Sequence, residues 1–158
     1  MRDTKASLKW ITTILNELNI PFQIAGGLAA IAYGATRELW DIDIDVPEEK
    51  FELIKEKVGA FVITEPTHFK DEHWDLWLMT LNHQGQEIDL SGAHQTKIFD
   101  HATQQWHLLM TDFSKSVTMK LFGIEVPVIP KEDLLAYKKI LARPVDLADI
   151  TELSGKLI

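Results

Sequence analysis

The chain has 158 residues and a formal net charge of −8, with 46% hydrophobic and 25% charged residues. That length and composition predict one folded domain with a substantial core and exclude a disordered or low-complexity chain. The negative charge excludes a general electrostatic grip on nucleic acid, though not a local basic pocket or a cation held between the protein and an anionic ligand.

Cysteine is absent, which rules out disulfides, thiolate metal sites and a cysteine nucleophile. The N-terminal stretch "MRDTKASLKWITTILNELNI" has no unbroken apolar run of the signal-peptide kind. No segment approaches the apolar length of a membrane span. The expectation is a cytoplasmic protein.

In chain order, Leu8, Ile11, Leu15 and Leu18 form the apolar stripe of a first helix, which Asn19 and Pro21 end. "FQIA" predicts a short strand running into Gly26-Gly27, and "LAAIAYG" a small-residue helix closed by Gly34. "WDIDIDV" alternates strictly and predicts a strand. In "PEEKFELIKEKVG", Pro47 and the acids suit a helix start, and the lysines with Gly59 its end. "AFVI" predicts a strand, and "HWDLWLMTLN" with "EIDLSG" a hairpin turning at "HQGQ". Residues 93–111 are too poorly patterned to assign. "SVTMKL" and "IEVPVI" form a second hairpin across Phe122-Gly123, and Pro130 introduces the amphipathic helix "KEDLLAYKKILA". "RPVDLADITELSGKLI" closes the chain as a last helix. This order predicts a mixed α/β (α+β) fold, one β-sheet flanked by helices, as a single domain over residues 1–158.

The chemistry gathers in the first half. On a strand, alternate side chains share a face, so Asp41, Asp43 and Asp45 point one way while Ile42, Ile44 and Val46 point into a core. Like charges so close repel, and partial burial raises the cost. A divalent cation offsets it economically, since Mg²⁺ takes one or two carboxylates plus substrate phosphates. A solvated strand face is the alternative. Upstream, a strand entering Gly26-Gly27 and then a helix offers backbone N–H groups to an anion, and glycine lets a phosphate come close. A simple tight turn is the alternative there. Together, a phosphate turn and a metal-binding strand are what phosphoryl transfer requires. A third carboxylate is wanted from another strand. "QEIDLSG" offers Glu87 and Asp89, and Asp89 lies between the anchoring Ile88 and Leu90.

The stretch "IAGGLAAIAYGATRELWDIDIDV", with thirteen residues between Gly27 and Asp41, resembles the nucleotidyltransferase superfamily of the DNA polymerase β type. Its look-alikes include small bacterial lincosamide and aminoglycoside nucleotidyltransferases and nucleotidyltransferase domains of toxin–antitoxin loci. The C-terminal run "IPKEDLLAYKKILARPVDLADI" is also similar to this group. The resemblance implies a nucleotidyltransferase fold and transfer of a nucleoside monophosphate from a nucleoside triphosphate, ATP by preference, with pyrophosphate released. It implies that Gly26 and Gly27 cradle the β- and γ-phosphates. Asp41, Asp43 and Asp89 hold Mg²⁺, two ions being expected, and Asp89 doubles as general base. Arg37 lies near the phosphates, and Lys138 approaches the nucleotide. Gly27 departs from the serine common in polymerase β relatives, and Asp45 is an acid beyond the motif. The acceptor is a hydroxyl on a small molecule, RNA or protein. A homodimer or a small helical partner protein could complete its cleft, and the alternative role is partner binding in a toxin–antitoxin pair.

The histidines at 68, 73, 83, 94, 101 and 107 match no zinc spacing. Trp40, which precedes the acidic strand, is a candidate stacking surface, though tryptophan is more often core. In "RPVDLADI", Arg143 is expected to pair with Asp146 or Asp149 at a helix start.

Overall fold

The computed structural model describes residues Arg2–Gly155; the last three residues of the expected final helix lie outside them. The first helix, α1 (Thr4–Glu17), starts where the Asp3 carboxylate accepts the Ala6 N–H, and it buries Leu8, Ile11 and Leu15. Strand β1 (Gln23–Ala25) runs directly into α2 (Gly26–Ala32), and β2 (Asp41–Val46) follows. A short 3₁₀ turn over Glu48–Lys50 leads into α3 (Phe51–Val58). Then come β3 (Val62–Lys70), β4 (Trp74–His83) and β5 (Gln86–Gly92). The turn joining β4 to β5 has φ 51° at Gln84 and 80° at Gly85. Such a two-residue turn matches the twist of the strands that it joins.

The expected strand at "AFVI" is longer and later than its apolar residues suggest, because β3 pairs with β4 through two register shifts. The unassigned 93–111 stretch contains β6 (Lys97–Asp100) and β7 (Gln105–Leu108). The second hairpin is β8 (Val117–Leu121) and β9 (Ile124–Val128), followed by α4 (Lys131–Leu141) and α5 (Pro144–Ser154).

Among the described residues, nine strands form one mixed sheet in the order β7-β6-β4-β5-β2-β1-β9-β8, with β3 on the other edge of β4. Its centre decides the site. β1 runs antiparallel to β2, while β2 and β5 run parallel. One face carries Ile42, Ile44, Val46, Ile88, Leu90 and Leu81, each fully buried. On that face α1 seats Trp10 flat on His83 and hydrogen-bonds Ser7 to it. The other face carries the acids, and α4 approaches it through Tyr137, whose ring meets Trp74. Among the described residues, no helix is long and apolar enough to cross a membrane.

Candidate active site

Parallel pairing brings the two acidic strands into step. Asp43 lies beside Asp89, and Asp41 beside Glu87. Carboxylate oxygens of Asp41, Glu87 and Asp89 all come within 4.8 Å of one another. The Asp43 carboxylate turns toward the glycine turn. A Cβ built on Gly26, whose φ is +57°, would collide with Asp43 Oδ2. Glycine is therefore required at position 26 both by backbone conformation and by the carboxylate packed against it. Gly27 is closed from the other side, where an added Cβ would meet the Arg37 guanidinium at 3.0 Å.

Burial, with repulsion at Asp43 and Asp89, disturbs Asp43, Asp45 and Asp89 strongly. The Asp43 carboxyl is pushed up to about 8, by desolvation first and then by Asp41, Asp89 and Asp45, with Lys138 opposing. Asp89 rises to about 6 by burial and by the charges of Asp41 and Glu87, against the hydrogen bond that Thr80 Oγ1 donates to its Oδ1 at 2.8 Å. Asp45 rises to about 6 by burial, although Gln23 Nε2 donates to its Oδ2 at 2.9 Å. An all-oxygen donor set with surplus negative charge fits a hard divalent cation. The residues present therefore fit magnesium.

The C-terminal helices reach the same turn. Gly26 N–H donates to Tyr137 Oη at 3.0 Å. Lys138 is only 2% exposed, and its ammonium pairs with Asp146 at 3.2 Å and Asp149 at 3.0 Å. Arg37 Nη1 lies 2.9 Å from the same Asp149 Oδ2. Arg143 pairs with Asp146, and the Arg143 N–H donates back to that carboxylate at the start of α5. Opposite charges hold Asp146 below the usual carboxylate range despite its burial.

The structure thus gathers Gly26, Gly27, Arg37, Asp41, Asp43 and Asp89 about the glycine turn and sets Lys138 behind it as a buried, doubly paired cation. Sequence reasoning missed Thr80 and Tyr137. Neither carries a spacing signal, and only the pairing of β4 with β5 and the docking of α4 bring them in. Glu87 was legible as an acid two residues from Asp89, and the register adds it to the cluster. Away from the glycine turn, Glu48, Glu49 and His94 form a second group of donors, but the Glu48 carboxylate is occupied by the N–H groups of His94 and Gln95. Trp40 is 66% exposed beside the acidic strand.

Comparison with known proteins agrees with this geometry. The search of curated proteins returns no match. Among solved structures, a Thermotoga maritima protein described as a nucleotidyltransferase superposes with a TM-score of 0.68 at 21% identity, covering 95% of this chain and 92% of its own. A lincosamide antibiotic adenylyltransferase, solved with lincomycin bound, gives 0.65 at 16% identity over 98% of this chain and 99% of its own. ANT(2'')-Ia, solved with adenylyl-2''-tobramycin, gives 0.61 at 19% identity over 96% and 90%. At these identities the likeness establishes a shared nucleotidyltransferase fold. The aminoglycoside-2''-adenylyltransferase family model matches residues 7–153, and with nearly the whole described chain inside that match, this nucleotidyltransferase belongs to that family.

Proposed function

We propose that the protein transfers a nucleoside monophosphate from a nucleoside triphosphate, ATP by preference, to a hydroxyl of an amine-bearing small molecule of the aminoglycoside kind. The observation that carries this reading is the parallel register of β2 with β5. It sets Asp43 beside Asp89 at the mouth of the Gly26-Gly27 turn. Asp41, Asp43 and Asp89 would hold the magnesium ions. When bound, magnesium neutralises the triphosphate and the oxygens that gain charge during transfer. The glycine turn and Arg37 bind the phosphates and keep the donor in line. Thr80 holds one oxygen of Asp89 and so fixes the orientation of the carboxylate. The acceptor oxygen attacks the α-phosphorus, its proton passes to Asp89, and the bond from the α-phosphorus to the bridging oxygen breaks to release pyrophosphate.

The acceptor class rests on charge. Glu87 is an exposed acid beside the cluster, and the half-buried Asp45 adds a further carboxylate on the same face. A polycationic acceptor matches that surplus, as the family's substrate does by name. The test is pyrophosphate release from each labelled triphosphate with magnesium, against aminoglycosides, lincosamides and bulk tRNA. The expected result is release that depends on an aminoglycoside and is greatest with ATP. Release supported only by tRNA, or none with any aminoglycoside, would overturn the acceptor class.

A further inference from the structure

We infer that Asp149 is a positioning residue of the donor site, aligning Arg37 across the phosphate turn; the inference rests on the reading of Arg37 as a phosphate contact. One oxygen, Asp149 Oδ2, takes both Arg37 Nη1 at 2.9 Å and Lys138 Nζ at 3.0 Å. Asp149 is 2% exposed, so the Lys138 contact is made out of water and the Arg37 contact at the edge of solvent, and each is stronger than in bulk water. A guanidinium is a planar fork with several donors. Committing Nη1 to Asp149 fixes the plane of that fork, and the plane lies against Gly27. The rest of the fork is thereby held beside the turn without a search over rotamers.

A further contact makes α5 part of the same device. Thr36 N–H donates to Glu152 Oε1 at 2.7 Å, one helical turn beyond Asp149. The loop that carries Arg37 is thus fastened to α5 at two successive residues, one through its backbone and one through its side chain. On α4, Tyr137 takes the Gly26 N–H and its neighbour Lys138 supports Asp149. Each glycine of the turn is therefore braced from the C-terminal helices, Gly26 directly and Gly27 through Arg37. Lys138 acts by holding the Asp149 carboxylate in place. Its ammonium is spent on two carboxylates.

The experiment measures the affinity of the full chain for a non-hydrolysable ATP analogue with magnesium by calorimetry, alongside KM and kcat. Asp149→Asn keeps the size and removes the charge. Affinity should fall about 10-fold or more, the scale of a lost charge-assisted contact. KM for ATP should rise by the same factor and kcat stay within about 3-fold. Asp146→Asn is the matched control. It breaks an equally buried pair that does not touch Arg37, so it should lower the melting temperature with affinity held. In the Arg37→Gln background, Asp149→Asn should cost no further affinity, because residues acting through one another are non-additive. Arg37→Lys tests the fork with Asp149 left in place. It retains the charge but not the fork, and should lose affinity as Arg37→Gln does. Equal affinity losses for Asp149→Asn and Asp146→Asn, additive losses in the double variant, or full affinity in Arg37→Lys would each overturn the positioning role. Failure of the underlying reading looks different. There Arg37→Gln itself binds the analogue as tightly as the unaltered chain.

Discussion

Two groups of aspartates lie on either side of the glycine turn, and their surroundings differ. Asp146 and Asp149 are interleaved with Arg37, Lys138 and Arg143, so that every carboxylate touches a cation. Asp41, Asp43, Asp45 and Asp89 face one another, relieved by hydrogen bonds from Gln23 and Thr80 and, at Asp43, by the charge of Lys138, which is itself already paired with Asp146 and Asp149. The first group is held below the usual carboxylate range at Asp146, whereas Asp43, Asp45 and Asp89 are all pushed above it. Both groups crowd like charge out of bulk water, but only the first carries its own counter-charge. An uncompensated cluster of this kind costs stability in the free protein. The proposed function accounts for that cost as preorganisation for a cation and an anionic substrate that arrive together.

The comparison breaks most visibly at the chemistry. Asp89→Asn keeps the shape of the second group and removes its proton acceptor. Transfer should fall by 10² or more, about the scale of a positioned general base. Nucleotide binding should survive, because the turn, Asp41 and Asp43 remain. Single-turnover assays beside a nucleotide titration would check this, and unchanged turnover would reject the role.

Next in size is the turn. Gly26→Ala forces a Cβ into the Asp43 carboxylate at a φ of +57°, while Gly27→Val drives a branched side chain against Arg37. Both should lose triphosphate affinity by about 10-fold or more with the fold retained, and Gly26→Ala should also melt lower, since an L-residue is strained there. Circular dichroism with a nucleotide titration separates the two effects.

A smaller effect sharpens the electrostatic contrast. Asp43 binds its proton more tightly folded than unfolded, so the stability this group contributes is present at low pH. It is lost as pH rises through about 8. Asp43→Asn should therefore melt above the unaltered protein, by a gap that widens from about pH 5 to about pH 8. Magnesium with a triphosphate analogue should raise the melting temperature of the unaltered protein and not that of Asp43→Asn. Asp146 has the opposite sign. Its contribution is present above the unfolded carboxylate value and fades as the solution is acidified. A pH series on Asp146→Asn should show its deficit shrinking toward acid.

The smallest effect is at the rim. Glu87→Gln removes a solvent-exposed charge, so KM for a cationic acceptor should rise only a few-fold, on the scale of about 1 kcal/mol or less for an exposed pair. The loss should shrink in added salt.

Much of the site is legible in the amino-acid sequence. The alternation of Asp41-Ile42-Asp43-Ile44-Asp45-Val46 gives a strand with one acidic and one apolar face, because the side-chain period of a strand is two. Gly26-Gly27 between a strand and a small-residue helix gives the turn. The 93–111 stretch is not legible, because β6 and β7 are four-residue strands, too short for a periodic signal. Arg143 with Asp146 can be read from spacing, as a side chain and its partner on the first turn of one helix.

Local pattern alone therefore determined which residues share a face, where the chain turns, and that an acidic strand follows a glycine pair. Those features depend on contacts a few residues apart. Tertiary structure decided the rest. The parallel register of β2 and β5 chose Asp89 as the neighbour of Asp43 and Glu87 as that of Asp41. The docking of α4 and α5 turned Lys138 inward and joined Arg37 to Asp149, 112 residues apart. Pairing at such separations is fixed by packing and charge compensation across the whole core, which no window of sequence contains.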